Sequence, residues 1–472
     1  MSVARRIFYN TFLQSVGKIV SVAVGLVSVG LMTRYLGDAG YGEYTTIVSF
    51  MGFFGIVADL GLYLVTTSEI SKDGADQSRV LGNVFGLRFV SVIIALTVGA
   101  FISLLFPYGH DVKVGMFLGI AAFTFVSATQ ILVGVFQKHL VFYQMTASEI
   151  VQRLVTLIGT LFVIQRHLSV LAFVAVLIVA NDAHFFLSFY LAQKLIPFRL
   201  NFDTAHWKEI LRKSWPLGFS VILNLIYFRA DTLILSVFKS ASDVGVYGLP
   251  YKILEILVAF PAMFAGLMMP FLARHAFTNW DKYKQFLQKG IDATLLAVVP
   301  IVTVTLFFAR PIIDLVGGKG FVGAERVLQI LIFAVATIFV STFFGYAVVA
   351  LGAQKKMVWG YLLGSALGLA LYFLLIPRYS FYGAAIATVA VELAVFIFAY
   401  VLTSKVSGYF PSFAILLKTL PAIIPTIVFF NYVDLPWAAE AMIGLAIYSV
   451  FIFLFRAVPV EFIRTLIRSE NA

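Results

Sequence analysis

Long apolar runs alternate with short polar stretches along the whole chain, and that alternation is the first structural signal. A helix needs about 20 apolar residues to cross the hydrocarbon core of a bilayer. By that measure we count 14 candidate spans, near 11–35, 42–67, 80–106, 114–136, 147–165, 168–192, 215–238, 244–271, 290–309, 325–351, 356–376, 381–403, 411–431 and 437–455. The connecting stretches are too short for a separate aqueous catalytic domain. The first ten residues, MSVARRIFYN, are basic and lead into an apolar run that has no small-residue cleavage site, so the run is read as a retained first span. The expected class is an all-α membrane protein.

Composition agrees: 61% of the 472 residues are hydrophobic, 12% are charged, and the mean hydropathy is +0.98. The absence of cysteine excludes disulfides, thiol nucleophiles and Cys-ligated metal sites. The net charge of +11 comes from 34 Lys and Arg against 23 Asp and Glu. Most of those cations fall on the side of the N-terminus, which by the positive-inside rule makes both termini cytoplasmic in an inner, cytoplasmic membrane. The excess therefore reflects topology, and nucleic acid is not expected as a partner. The basic loops 194–213 and 274–289 carry Trp207, Ile210 and Leu211, and Trp280, Tyr283 and Phe286, at helical spacing. Such spacing suggests short interfacial helices on anionic lipid, against the plainer reading of ordinary inner loops.

YLGDAGYGEYTTIVSFMGF (35–53) and FKSASDVGVYGLPYKILEI (238–256) align without gaps at an offset of 203, matching Gly42 with Gly245 and Tyr44 with Tyr247. Six spans lie within that offset, so the two copies share one orientation and a pseudo-twofold axis along the membrane normal. The expected organisation is an N-terminal six-helix lobe at 1–200 and a second, opened by an interfacial linker helix, at 201–405. Residues 406–472 add two transmembrane helices and a basic tail. Between two such lobes an alternating-access carrier would keep its cargo.

The segments TRYLGDAGYGEY (33–44), ADTLILSVFKSASDVGVYGLPYKILE (230–255) and IPRYSFYGAAIATVAVE (376–392) resemble the signatures of the polysaccharide-transport (Wzx-type, O-antigen flippase-like) family. That family belongs to the multidrug/oligosaccharidyl-lipid/polysaccharide flippase superfamily. The resemblance implies two bundles that rock between inward- and outward-open states. Their cargo would be an oligosaccharide on polyprenyl (pyro)phosphate, moved without a cofactor beyond possible coupling to H+ or Na+. One chain holds both lobes, so a monomer suffices among membrane lipids.

Ionisable groups at bilayer depth cost at least about 2.5–3.5 kcal/mol each on insertion scales, so those that persist face protein or water. The cations Lys18, Arg88, Arg153, Arg229 and Lys252 are the candidate substrate-binding residues. Lys18, Arg88 and Arg153 lie close enough to the cytoplasmic end of their spans to snorkel, and Glu149 stands four residues before Arg153 as an ordinary partner. Arg229 lies too deep to escape. Two residues turn a helix by about 200°, so Arg229 and Asp231 cannot face the same way. We expect Arg229 toward the cargo, where its forked donors match phosphate oxygens; the competing reading pairs it with Asp182. The deep carboxylates are Asp59, Asp182, Asp231, Glu255 and Glu392, and His184 lies beside Asp182 in VANDAHFF. These are the candidates for ion coupling, set against plain interhelical bonding; Lys252 is the evident partner of Glu255. The prolines 216, 250, 261, 270 and 300 are candidate bending points. The loop VGGKGFVG (316–323) lacks the ending of a phosphate-binding loop and reads as a turn.

Three other functions compete with a glycolipid flippase. A lipid II flippase has a similar pyrophosphate headgroup to carry. A cation-coupled drug exporter would call for acidic and aromatic groups rather than deep Arg and Lys. A membrane glycosyltransferase or polymerase would need acidic groups on a sizeable outer loop, which the chain lacks, so no enzyme is expected.

Overall fold

A computed structural model describes residues 3–72, 74, 76–455 and 457; the basic tail expected at the C-terminus lies outside the described residues. Fourteen helices account for the described architecture, with no strand among the described residues: α1 (Val3–Val57), α2 (Leu62–Ile70), α3 (Gln77–Ser103), α4 (His110–Lys138), α5 (Phe142–Gln165), α6 (Val170–Leu195), α7 (Thr204–Phe238), α8 (Ala241–Leu257), α9 (Ala259–His275), α10 (Trp280–Gly317), α11 (Ala324–Ala350), α12 (Gln354–Ser407), α13 (Leu416–Tyr432) and α14 (Trp437–Leu454). Eleven described stretches are long and apolar enough to cross a membrane, which makes this a multi-pass membrane protein.

Two helices are too long for one crossing. The 55 residues of α1 would reach about 80 Å at 1.5 Å per residue, against a hydrocarbon core of about 30 Å. The chain breaks inside it at Gly37 (φ 68, ψ −173), a left-handed position that glycine accepts without a Cβ penalty. The 54 residues of α12 break likewise at Ser380 (φ 49, ψ −132). With those two stretches divided and the shorter apolar α13 added, the 14 expected spans are all accounted for.

Other boundaries depart from expectation. The stretch 42–67, expected as one continuous span, unwinds at residues 58–61 between α1 and α2, where Leu60 (φ 47) and Gly61 (φ 76) are both left-handed. Helix formation fails there because the chain must turn Asp59 inward, as described below. Residues 204–213 are helical but run without interruption into the span of α7, capped by the Asp203 carboxylate, which accepts from Ala205 N (3.1 Å) and His206 N (3.2 Å). Tyr283, expected at a membrane surface, is fully buried and stacks on Trp280 with ring centroids 5.0 Å apart. Of the expected bending points, Pro261 follows the gap between α8 and α9, while the distortion in α10 falls at Phe308, three residues before Pro311, rather than at Pro300.

Packing divides the chain into two compact units. The first comprises Met1–Gly248, Leu315–Val322 and Gly368–Ala384; the second comprises Leu249–Asp314, Gly323–Leu367 and Ala385–Ala472. The first unit is built on α2, α3, α4 and α6 around Leu62, Phe85, Leu132, Phe136 and Phe185, continued by Ile47, Met51, Val92 and Met116. The second is built around Leu272, Tyr283, Leu287, Phe343 and Phe344. Lipid supplies no hydrophobic drive between helices, so these cores hold by close van der Waals fit.

Within the first unit the two repeat stretches meet at equivalent positions. A Cβ on Gly42 would stand 1.7 Å from the Ala241 carbonyl oxygen, and one on Gly245 would stand 1.9 Å from the Asp38 carbonyl oxygen. Residues 38 and 241 are themselves related by the offset of 203. The Ser242 hydroxyl donates to the Asp38 carboxylate across the same joint. Only glycine on both sides lets the backbones come so close.

Candidate functional site

The unwound turn at 58–61 is the centre of a buried polar site in the first unit. Backbone polar groups freed inside a bilayer must be satisfied by protein or water, and this turn closes on itself through Asp59 N to Ile56 O (2.9 Å) and Leu62 N to Asp59 O (2.7 Å). Gly218 of α7 abuts it; a Cβ there would lie 2.5 Å from the Leu60 carbonyl carbon. The turn aims the Asp59 carboxylate at α3, where Arg88 meets it at 2.9 Å through Nη1. Arg88 is wholly buried, and α4 accepts two of its other donors: Nε donates to Ser127 O (3.3 Å) and Nη2 to Gln130 Oε1 (3.2 Å). The expected snorkelling of Arg88 to the inner interface is thus corrected. Its guanidinium has carboxylate, carbonyl and amide acceptors inside the bundle and no reason to travel.

Ser127 and Gln130 have a second side. With Val48, Ser49, Gly52, Phe53, Gly55, Ile56, Phe123 and Val126 they line a cavity of about 180 Å³, whose remaining wall is Arg229 of α7. Arg88 therefore stands behind the wall that Arg229 completes. Asp231, two residues on, is buried, and its carboxylate accepts from Tyr247 Oη (2.6 Å) and Thr232 N (2.6 Å). Tyr247, the repeat tyrosine, is the anchor of Asp231, which also stands within electrostatic reach of Arg229. Asp182, weighed as the partner of Arg229, makes no ion pair among the described residues, and its Oδ1 is buried without a hydrogen bond.

A second polar cluster joins α1, α5 and α6. Lys18 Nζ meets Glu149 Oε1 at 2.8 Å, Ser21 Oγ donates to the same oxygen (3.0 Å), and Arg153 Nη2 lies 3.8 Å from it. His184, whose Nε2 is buried without a hydrogen bond, faces the same charges. Beside it Gln152 donates to Asn181 Oδ1 (2.6 Å), and Asn181 donates to Ala122 O (3.0 Å). In the second unit Lys252 pairs with Glu255 at 2.8 Å, and Glu392 is buried within electrostatic reach of Tyr361.

The structure thus brings Arg229, Arg88 and Asp59 around one site and Lys18, Arg153 and His184 around another. Ser49, Ser127, Gln130 and Glu149 were missed as site residues. The first three are uncharged and unremarkable in sequence; Glu149 could have been found as a carboxylate inside a span, but its spacing to Arg153 had already explained it.

A model described as polysaccharide biosynthesis protein matches residues 7–275, more than half of the chain. The chain belongs to the polysaccharide biosynthesis protein family. A second model, MatE, matches residues 216–374. Among curated relatives of this polysaccharide biosynthesis protein, a probable low-salt glycan biosynthesis flippase of Haloferax volcanii is 22% identical over 96% of this chain and 97% of its own length. A putative O-antigen transporter of Shigella flexneri is 22% identical, covering 82% of this chain and 94% of its own. Among solved structures, the lipid II flippase MurJ in an inward closed conformation superposes with a TM-score of 0.76 at 15% identity, over 97% of this chain and 100% of that one. At that identity the likeness establishes the shared helical fold and nothing of the cargo. The family assignment agrees with the resemblance carried by residues 33–44, 230–255 and 376–392, and points to a transporter rather than an enzyme.

Proposed function

We propose that this protein is a flippase that carries an oligosaccharide linked to polyprenyl (pyro)phosphate across the cytoplasmic membrane by alternating access, for surface polysaccharide assembly. The observation that carries the reading is the Arg229-walled cavity. A guanidinium at bilayer depth, beside the hydroxyl of Ser49 and the amide of Gln130, places positive charge and polar groups where anionic oxygens would otherwise be without solvation. At about 180 Å³ the cavity is below the roughly 300–1,000 Å³ of sites for drug-sized ligands. It suits a phosphate group and leaves the sugars to be held elsewhere. Arg88 acts through Ser127 and Gln130 as a positioning residue, fixing the wall on which Arg229 looks. Lys18 and Arg153, partly exposed, give a second cationic station. Support also comes from the names of the two curated relatives and from the family.

In this reading both termini are cytoplasmic and the chain works as a monomer. Asp182 and His184, in no ion pair among the described residues and each with a buried atom lacking a hydrogen bond, are the groups through which H+ or Na+ would act, while Lys252, Glu255, Glu392, Asp231 and Asp59 hold helices in place.

The test is R229A, with R229K beside it, in a strain whose surface polysaccharide depends on this protein. We expect export to fall by at least ~100-fold in R229A and to be partly kept in R229K, which retains the charge but not the fork, at unchanged protein level. Unchanged export in R229A removes the cavity from the cargo path. Rescue of a strain lacking its lipid II flippase would instead assign lipid II as cargo.

A further inference from the structure

Glu149 has no part in the cavity of Arg229, yet it is the hub of a charge cluster that is only partly buried in the protein. The side chains of Lys18, Glu149 and Arg153 keep 40%, 21% and 37% of their exposure. α1 and α5 approach closely here: a Cβ on Gly17 would fall 2.4 Å from Thr146 Cγ2, and this contact sets Lys18 beside Glu149. One carboxylate oxygen serves three donors, Lys18 at 2.8 Å, Ser21 at 3.0 Å and Arg153 at 3.8 Å. The last distance is an ion contact rather than a hydrogen bond. Arg153 lies across Gly25 of α1 with its Nε buried and without any acceptor. Two cations against one carboxylate leave a net positive charge and spare donors. An ordinary structural ion pair has no use for that surplus; a site whose proper occupant carries more negative charge and more oxygens than a carboxylate does.

We propose that Glu149 is a resident counter-anion, holding in the empty protein the place at Lys18 and Arg153 that a phosphate group takes when cargo enters, and accepting a proton when it is displaced. A dianionic phosphate or a pyrophosphate satisfies both cations and the idle Nε of Arg153. An ionised Glu149 left beside it would face like charge in a half-buried setting, a condition that favours the protonated carboxyl. The exchange is balanced: one phosphate anion arrives, and one solvent proton converts the carboxylate to a carboxyl group. The charged groups around Glu149 are Lys18 on α1, Arg153 on its own helix and His184 on α6; Asp182 is two residues from His184, and Tyr44, from the second half of α1, lies within electrostatic reach of Arg153. The consequence is that anion binding strengthens as pH falls, which would load cargo and a proton together. The inference rests on the reading that the cargo has a phosphate headgroup.

The experiment is calorimetric titration of the purified full-length protein with inorganic pyrophosphate, in buffers of different ionisation heat, for wild type and E149Q. The wild type is expected to take up about one more proton per pyrophosphate than E149Q at the same pH, the ligand's own protonation being common to both. E149Q should bind roughly tenfold more tightly at neutral pH, and K18Q and R153Q should each bind more weakly while remaining folded. Equal proton uptake with equal or weaker affinity in E149Q overturns the role of Glu149 and leaves the cargo reading standing. Should E149Q not fold, K18Q and R153Q decide: unaltered pyrophosphate affinity in both overturns the proposal. Pyrophosphate binding to none of the proteins overturns the proposal and the phosphate cargo together.

Discussion

Arg88 is the most deeply committed charge in the first unit: fully buried, and bonded to Asp59, Ser127 and Gln130. Removing one member of a buried pair strands the other, at a cost of about 3–5 kcal/mol, whereas an apolar pair of similar volume is tolerated far better. R88A and D59A are each expected to lose most of the folded protein in a thermal scan, and R88M/D59L to recover much of it. An R88M/D59L protein that is stable but no longer exports would mark Arg88 as a positioning residue for the cavity wall. At the polar rim, Glu69 accepts from Lys72 (2.8 Å) and pairs with Lys213 (3.2 Å), which also holds Glu209 (2.7 Å). The Lys72 hydrogen bond, with Lys213 beside it, holds the Glu69 carboxyl below its ordinary value of 4.5 despite partial burial. A carboxyl lowered on folding contributes stability above its unfolded pKa and loses it as pH falls below that value. The melting temperature of wild type should therefore drop as pH is taken below about 4.5, and E69Q should show a shallower drop over the same window. The charges themselves were legible in the sequence. Their partners mostly were not, because Asp59 with Arg88 and Lys18 with Glu149 meet across helices, where no residue spacing announces a contact.

At the scale of elements, periodicity and length found every span, since a 20-residue apolar run has few other uses. What it could not find was the interruption at 58–61. Nothing in VADLGLYL departs from an apolar pattern except Asp59 and Gly61; the helix opens where Gly61 takes a left-handed conformation and Asp59 meets Arg88. The repeat motif was legible in the sequence; its contact was not. Gly42 meets backbone rather than a movable side chain, so G42A has no soft neighbour to displace. Overpacking of this kind costs about 1–3 kcal/mol or more, and we expect G42A and G245A each to lower thermal stability and G42L to abolish accumulation of folded protein. Melting curves of the purified variants check it; a G42A protein as stable as wild type would mean that the two stretches do not touch as described.

For the molecule as a whole, the family and its helical fold follow from the sequence model and from superposition on a flippase of 15% identity, which shows how much of this architecture survives when few residues are shared. Cargo is a different matter, because it depends on a few polar atoms rather than on the apolar bulk. The joint between the two repeat stretches has a symmetry of its own. Identical subunits that meet about a twofold axis touch through the same atoms on each side, as Asp38 and Gly42 touch Ala241 and Gly245. In this chain the seam closes on two glycines, and a side chain added to either would strike the backbone of the opposite stretch.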